Sequence, residues 1–318
     1  MKKFKSLSVL MISILVLAVF LVGCSTDDRL SIATGGTSGV YYPLGGAIQT
    51  IINDNVEGVT ASTESTGASA ENVNLINNGS ADFALIQNDI SYYAFNGVEM
   101  FENDEPMENL KAVASLYPET VQIVTNASAN INSVEDLRGK RVAVGNIGSG
   151  AEANARQVLE AYGLTYEDIT QEYLSFGEAA DQLRDGHVEA AFLTAGTPTA
   201  AVTDLSTTHN INIISISQEV AQSLVAQFPF YDQVTIPAGT YRNQDEDVET
   251  VAVMAMLTVR AGLSEEVVYN ATKAFFENLD TLANAHSRGG DITLEGAKDG
   301  VSLEIHPGAQ RYYDEVNQ

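Results

Sequence analysis

From Leu30 onward the chain alternates between two hydrophobic rhythms. Runs of apolar and β-branched residues at 30–33, 59–63, 83–86, 110–116, 121–125, 142–144, 190–193 and 211–216 predict strands. Between them, the stretches 44–52, 69–77, 151–161 and 178–184 place apolar residues three and four positions apart, which predicts helices with one buried face. Strand and helix in turn predict an α/β fold with mostly parallel strands. Gly58, Gly163 and Gly186 follow helix or turn ends, where glycine relieves a left-handed backbone. The stretch 117–125 reads as a strand crossing between two domains. A second long β-rich run, 251–260, leads into a predicted helix at 264–282. Two crossings make the first domain discontinuous, and no repeat or low-complexity linker divides the chain.

A different pattern occupies the start. Lys2, Lys3 and Lys5 precede an apolar run at 9–22 broken only by Ser13, the layout of a secretory signal. A spanning helix needs about 20 apolar residues, so this run is short for an anchor. The segment Leu21-Val22-Gly23-Cys24-Ser25 resembles the lipobox of bacterial lipoproteins. It implies that residues 1–23 are a signal peptide and that Cys24 carries lipid. The mature protein is then expected outside the cytoplasm, lipid-anchored to the cell membrane, in the periplasm or on the outer cell surface.

Charge narrows the function classes. Forty-two acidic against 16 basic residues give −26, and loss of the three leader lysines would bring this to −29. Nucleic acid and anionic membrane surfaces would be repelled. One cysteine forms no internal disulfide, and four scattered histidines without companion cysteines show no zinc-ligand spacing. No metal and no cofactor are expected. His187, His209 and His286 fit turn or surface roles, and His306 a structural one.

Two strand-to-helix turns share a glycine-rich design. Thr34-Gly35-Gly36-Thr37-Ser38-Gly39-Val40-Tyr41-Tyr42-Pro43 follows the first strand, and Gly145-Asn146-Ile147-Gly148-Ser149-Gly150-Ala151-Glu152 follows 142–144. Glycines let the backbone approach a ligand, and free N–H groups at a helix start favour an anion. Ser38 and Ser149 either add hydroxyl donors or cap their helices. The order Gly-x-x-Gly-x-Gly in the second turn is not the dinucleotide fingerprint, and neither turn ends in Gly-Lys-Ser/Thr. Gly-x-Ser-x-Gly is absent as well, so no catalytic residue is assigned and an enzyme is not expected.

These segments resemble the TAXI family of solute-binding proteins, the glutamate-type receptors of tripartite ATP-independent periplasmic (TRAP) transporters. The likeness rests on the opening block 30–45 and on Ser65-Thr66-Gly67-Ala68-Ser69-Ala70-Glu71-Asn72, Gln87-Asn88-Asp89 and Asp136-Leu137-Arg138-Gly139-Lys140-Arg141-Val142-Ala143-Val144-Gly145. It extends through Gly148-Ser149-Gly150 and Ala195-Gly196-Thr197-Pro198 to the closing His306-Pro307-Gly308-Ala309-Gln310-Arg311-Tyr312-Tyr313. Ala68 departs from it, since relatives often carry a second glycine there. The resemblance implies a type II periplasmic-binding-protein fold, two α/β lobes joined by hinge strands with the ligand cleft between them. Cutting at the crossings gives lobe 1 as 24–122 and 255–318 and lobe 2 as 123–254. It implies a monomer that captures a small carboxylate or acidic amino acid and delivers it to a TRAP-type integral membrane permease. An extracytoplasmic ligand sensor feeding a signalling partner is the alternative. In this reading the ligand meets backbone and hydroxyl groups of Thr37, Ser38, Gly39, Thr66, Ser69, Gly148, Ser149 and Gly150, with Gly196 and Pro198 nearby. Asn72 and Gln87 discriminate between ligands, and Asp89 pairs with an ammonium or caps a helix. Of the two adjacent tyrosines, Tyr42 rather than Tyr41 is expected to face the cleft. Tyr241 is read as part of a surface turn.

Overall fold

The computed structural model describes residues 28–317, so the leader and Cys24 lie outside the described residues. The first half of the sheet is built from β1 (Asp28–Ala33), α1 (Tyr41–Asn55), β2 (Val59–Glu64), α2 (Ser69–Asn77), β3 (Phe83–Gln87) and α3 (Asn88–Asn96). The long strand β4 (Leu110–Asn126) then crosses to the second half. There the chain forms β5 (Arg141–Ala143), α4 (Gly150–Ala161), β6 (Thr170–Glu172), α5 (Phe176–Arg184), β7 (Ala190–Ala195), α6 (Ala200–Thr208), β8 (Ile211–Ile214), α7 (Gln218–Gln227) and β9 (Asp232–Ile236). β10 (Val248–Arg260) returns it to the first half, followed by α8 (Glu265–Glu277), α9 (Leu279–Ala285) and α10 (Pro307–Val316).

All ten strands join one sheet in the order β2-β1-β3-β10-β4-β7-β5-β6, with β8 on β4 and β9 on β10. Parallel pairing is confined to β2-β1-β3 and β7-β5-β6. The crossing strands pair antiparallel with each other and with their neighbours. The expected mostly parallel sheet is therefore corrected to a mixed one. Helical crossovers make strands parallel within each half, but β4 and β10 traverse the molecule in opposite directions. β4 is also one strand, not two runs, and continues through Pro118. Proline donates no ladder hydrogen bond, and the β4–β10 register is irregular beside it, between Met254 and Met256.

Apolar residues fill both faces of each half. One face of the first half packs α1, α8 and α10 around Ile32, Leu85, Leu257 and Tyr313, and the other packs α2 and α3 around Val73, Ile86 and Ile90. In the second half, Ile123, Val142, Phe192 and Val251 form one layer and Val124, Ala191, Leu183 and Val202 the other. The predicted helix 264–282 is two helices. Its break falls at Asn278, whose side-chain amide turns back to the carbonyl of Ala274 at 2.8 Å. His306 caps α10, its Nδ1 accepting from the Gly308 N–H at 3.1 Å, a structural role.

Candidate functional site

Both glycine-rich turns sit at the carboxyl ends of strands and open into one cavity of about 320 Å³ between the halves. Four helices present their N-termini there, since Gly39 to Tyr41, Ala68 and Ser69, Ser149 to Ala151, and Ser175 to Gly177 all line it. These starts are not equivalent. α1 and α2 begin at Val40 and Ala68 with no side-chain cap. α4 and α5 are capped by Ser149 and Ser175, which accept from the N–H groups of Glu152 and Glu178. At α2 the Ala70 N–H already donates to Gly148 and Glu71 occupies the first turn, so the free amide dipoles are concentrated beside α1, where an anion gains most. No Lys, Arg or His is among the lining residues.

The halves touch across the cavity mouth. The amide of Ala70, at the start of α2, donates to the carbonyl of Gly148 at 3.1 Å. Gly150 lies so close to the Gln87 amide that a methyl group there would meet Oε1 at 1.6 Å. A methyl on Gly177 would approach Ser38 Oγ to 2.8 Å. Deeper in, Asn154 of α4 donates to Asp89 Oδ2 at 2.9 Å and to Tyr231 at 2.8 Å, and Gln157 donates to Tyr93 at 3.1 Å. These contacts define a closed arrangement.

Of the residues singled out from sequence, Thr37, Ser38, Gly39, Thr66, Ser69, Gln87, Ser149 and Gly150 line the cavity. Thr66 does so with its hydroxyl committed, 3.0 Å from the Thr34 carbonyl and 2.6 Å from Asn72 Oδ1, so it shapes the loop. Ser149 caps α4 and keeps its O–H proton free to donate. The tyrosine expectation is corrected: Tyr41 is buried and lines the cavity, whereas Tyr42, the next position round α1, is 39% exposed. Asn72 is buried and ties β1 to β3 through the carbonyls of Thr34 and Leu85. Asp89 is buried behind the cavity, where it accepts from Asn154 and from the Ile90 N–H, and so meets no ligand there. Gly148 is spent on the contact to Ala70, Gly196 is packed under Arg288, and Pro198 is exposed; none of the three lines the cavity. Tyr241 is not a surface turn either, being buried with its hydroxyl accepting from the Thr199 N–H at 2.9 Å.

Sequence reasoning missed the carboxyl of Glu119. It lines the cavity from β4, is 3% exposed, and accepts from the Tyr41 hydroxyl at 2.7 Å. Burial, with a smaller contribution from the nearby Asp89, raises its pKa to about 8 against the hydrogen bond it accepts from Tyr41. Asp89 itself is raised to about 6, again mainly by burial. The signal was present: a lone glutamate inside a run predicted to be a buried crossing strand.

Two nearly antiparallel crossing strands, a doubly layered α/β half on each side, and a cavity at the helix starts between them define the periplasmic-binding-protein fold. Solved structures share it at low identity. A protein from Bordetella bronchiseptica RB50 superposes with a TM-score of 0.59 at 14% identity, over 92% of this chain and 99% of its own. A periplasmic transporter gives 0.54 at 12% identity over 92% and 93%. A putative L-cystine ABC transporter from Listeria monocytogenes gives 0.50 at 13% over 85% and 99%. By sequence the chain belongs to the NMT1-like family, whose profile matches residues 32–316. Among the described residues no helix is long and apolar enough to cross a membrane, and no cluster of three metal-ligating side chains occurs.

Two outcomes follow from this geometry. Ala68 holds φ 80° and ψ −145°, a region that suits glycine and that strains other residues by about 1–3 kcal/mol. Ala68→Gly is therefore expected to stabilise the fold by about 1 kcal/mol in urea denaturation, after the added flexibility of the unfolded chain is subtracted. For Glu119 the folded pKa lies above the unfolded value of 4.5, so the folded state holds the extra proton. Its contribution is full below about pH 4.5 and is lost as pH rises through 8, a change on the order of 5 kcal/mol. Thermal unfolding of Glu119→Gln, without ligand, should lose that part of the pH dependence; an unchanged slope between pH 5 and 8 would refute the assignment.

Proposed function

We propose that this protein is an extracytoplasmic solute-binding protein that captures a small carboxylate or acidic amino acid and delivers it to a TRAP-type membrane transporter. The ligand class is that of glutamate, glutamine and 2-oxoglutarate. One observation carries the reading: the two helix starts without side-chain caps, α1 and α2, open into one cavity lined by no basic side chain. Such a site recognises a carboxylate through backbone N–H groups and hydroxyls, and a highly charged inorganic anion would lack a counter-charge. The glycine-rich blocks that resemble TAXI receptors support the transporter class. The short apolar leader ending at Cys24 supports a lipid anchor.

In this reading the lobes are 24–122 with 255–318 and 123–254, and they part about β4 and β10 to admit the solute. The contacts of Gln87 on Gly150 and of Ser38 on Gly177 belong to the closed form. Closure over the ligand expels water from the N–H groups and strengthens each hydrogen bond.

A thermal-shift series with L-glutamate, L-glutamine and 2-oxoglutarate tests the ligand class. A binder at 100 times its Kd adds about 2.7 kcal/mol to the folded state. Absence of any shift across the series would refute it. Gly150→Ala should fold normally in the open form yet bind the best of these ligands at least tenfold more weakly, because its methyl meets Gln87 on closing. Unchanged affinity would show that the lobes need not approach so closely. Cys24→Ser should move the protein from the membrane fraction to the soluble one, and retention on the membrane would count against lipidation.

A further inference from the structure

The cavity has two chemically opposite ends. Around the starts of α1 and α2 backbone N–H groups face it, whereas its sheet side presents the Glu119 carboxyl, the Gln87 side-chain amide and the Thr194 hydroxyl. Glu119 sits there on β4. Val121, two residues on, pairs with Thr194 of β7, so Glu119 and Thr194 share one face of the sheet as diagonal neighbours, roughly 7–8 Å apart along the backbone. Gln87 ends β3 and lines the same cavity. The Oε1 of Gln87 and the Oγ1 of Thr194 are both buried and have no hydrogen-bond partner, although both residues line the cavity. A buried oxygen left unpaired is costly; Gln87 Oε1 can only accept and the Thr194 hydroxyl can accept as well as donate, so a donor group from the ligand can satisfy both. A 2-oxo acid offers only further acceptors. An ammonium group offers three N–H donors and a positive charge.

We propose that Glu119, with Gln87 and Thr194, forms an ammonium subsite, so that the cavity takes α-amino acids in preference to 2-oxo acids and gives up a proton when it does. The inference rests on the reading that the ligand carboxylate is held at the helix starts. In the empty cavity the Glu119 carboxyl carries its proton at neutral pH, because burial and the charge of Asp89 outweigh the hydrogen bonds it receives. The incoming R–NH3+ remains charged. The Glu119 O–H bond breaks, its proton leaves to solvent, and the carboxylate pairs with the ammonium. The groups facing Glu119 do not offer another base for that proton. Tyr41 from α1 already donates to Oε2, and Tyr117 on the same strand has its pKa raised by burial and by Glu119. Asp89 at the start of α3 is held by Asn154, and Arg288, which packs on Gly196, is the one cation near Tyr117.

Isothermal titration calorimetry of the full chain at pH 7, in two buffers of different ionisation enthalpy, decides the matter. The probes are L-glutamate, L-glutamine and 2-oxoglutarate. The expected result is that an amino acid binds at least tenfold more tightly than 2-oxoglutarate and releases close to one proton per site, falling towards zero by pH 9. Glu119→Gln, checked for folding by circular dichroism, should abolish the proton release and remove most of the preference. Equal or tighter binding of 2-oxoglutarate, or amino-acid binding with no proton release by the wild-type chain, would overturn the ammonium subsite and leave the carboxylate reading standing. Binding of none of the three would overturn both.

Discussion

The antiparallel pairing of β4 with β10 is the constraint from which the sheet and the cavity both follow. β4 spans 17 residues and β10 spans 13, and both are buried along nearly their whole length. Each strand serves two halves at once: β10 pairs with β3 at one end and with β9 at the other, while β4 lies against β10 in the first half and pairs with β7 and β8 in the second. The parallel units β2-β1-β3 and β7-β5-β6 can then only flank this pair. Their helix starts point toward one another, because parallel strands in each half end on the side where the crossing strands pass. The irregular register beside Pro118 falls where the crossing strands leave one half for the other, and Glu119 is the next residue. A buried carboxyl is thereby set into the floor of the cavity by the same strand that joins the lobes.

Electrostatics at two length scales divide the work between surface and site. A chain of −26 repels anions at long range, but that field is screened beyond roughly 8 Å at physiological salt. Inside the cavity the uncapped N–H groups of α1 and α2 act at contact distance in a medium of lower dielectric, where they outweigh the distant charges. For a solute of the proposed class, the acidic surface would slow entry more than it would weaken binding. Glu119 adds little to the repulsion because burial keeps it protonated at neutral pH.

The sequence made the fold class legible through its alternating rhythms, and it made the two glycine-rich turns legible through their position after strands. Those signals are local, so they survive without knowledge of tertiary contacts. What failed was decided at longer range. The relative direction of β4 and β10 depends on the path the chain takes through the second half, and not on either strand's own pattern. α3 and α6 were not anticipated because Asn88-Asp89-Ile90-Ser91 and Thr203-Asp204-Leu205-Ser206-Thr207-Thr208 carry turn-like composition; in the structure Ile90, Val202 and Leu205 give each helix a buried face. Asp89 and Asn72 were recognised as special polar residues, yet both are partners of the protein's own groups. Sequence alone does not tell a buried polar group satisfied internally from one that waits for a ligand.

That distinction can be drawn here from the hydrogen bonds. Asn72 has its amide and its carbonyl paired, and Asp89 accepts from Asn154 and from backbone, so both are closed networks that fix loops. Gln87 and Thr194 retain buried oxygens with no partner at the wall of the cavity. The chain from Asp89 through Asn154 and Tyr231 to Gln157 and Tyr93 joins the halves without any solute, with links of 2.7 to 3.1 Å, although Asn154 Oδ1 has no partner. Closure thus has a portion that the protein supplies by itself and a portion that it leaves open. The self-supplied network lowers the free energy of the closed form, while the unpaired acceptors raise it until a donor fills them. A ligand that satisfies them shifts the balance by the difference, and one that cannot leaves the closed form strained. Selectivity in such a site arises less from the contacts made at the helix starts, which any carboxylate can make, than from the unmet demand on the sheet.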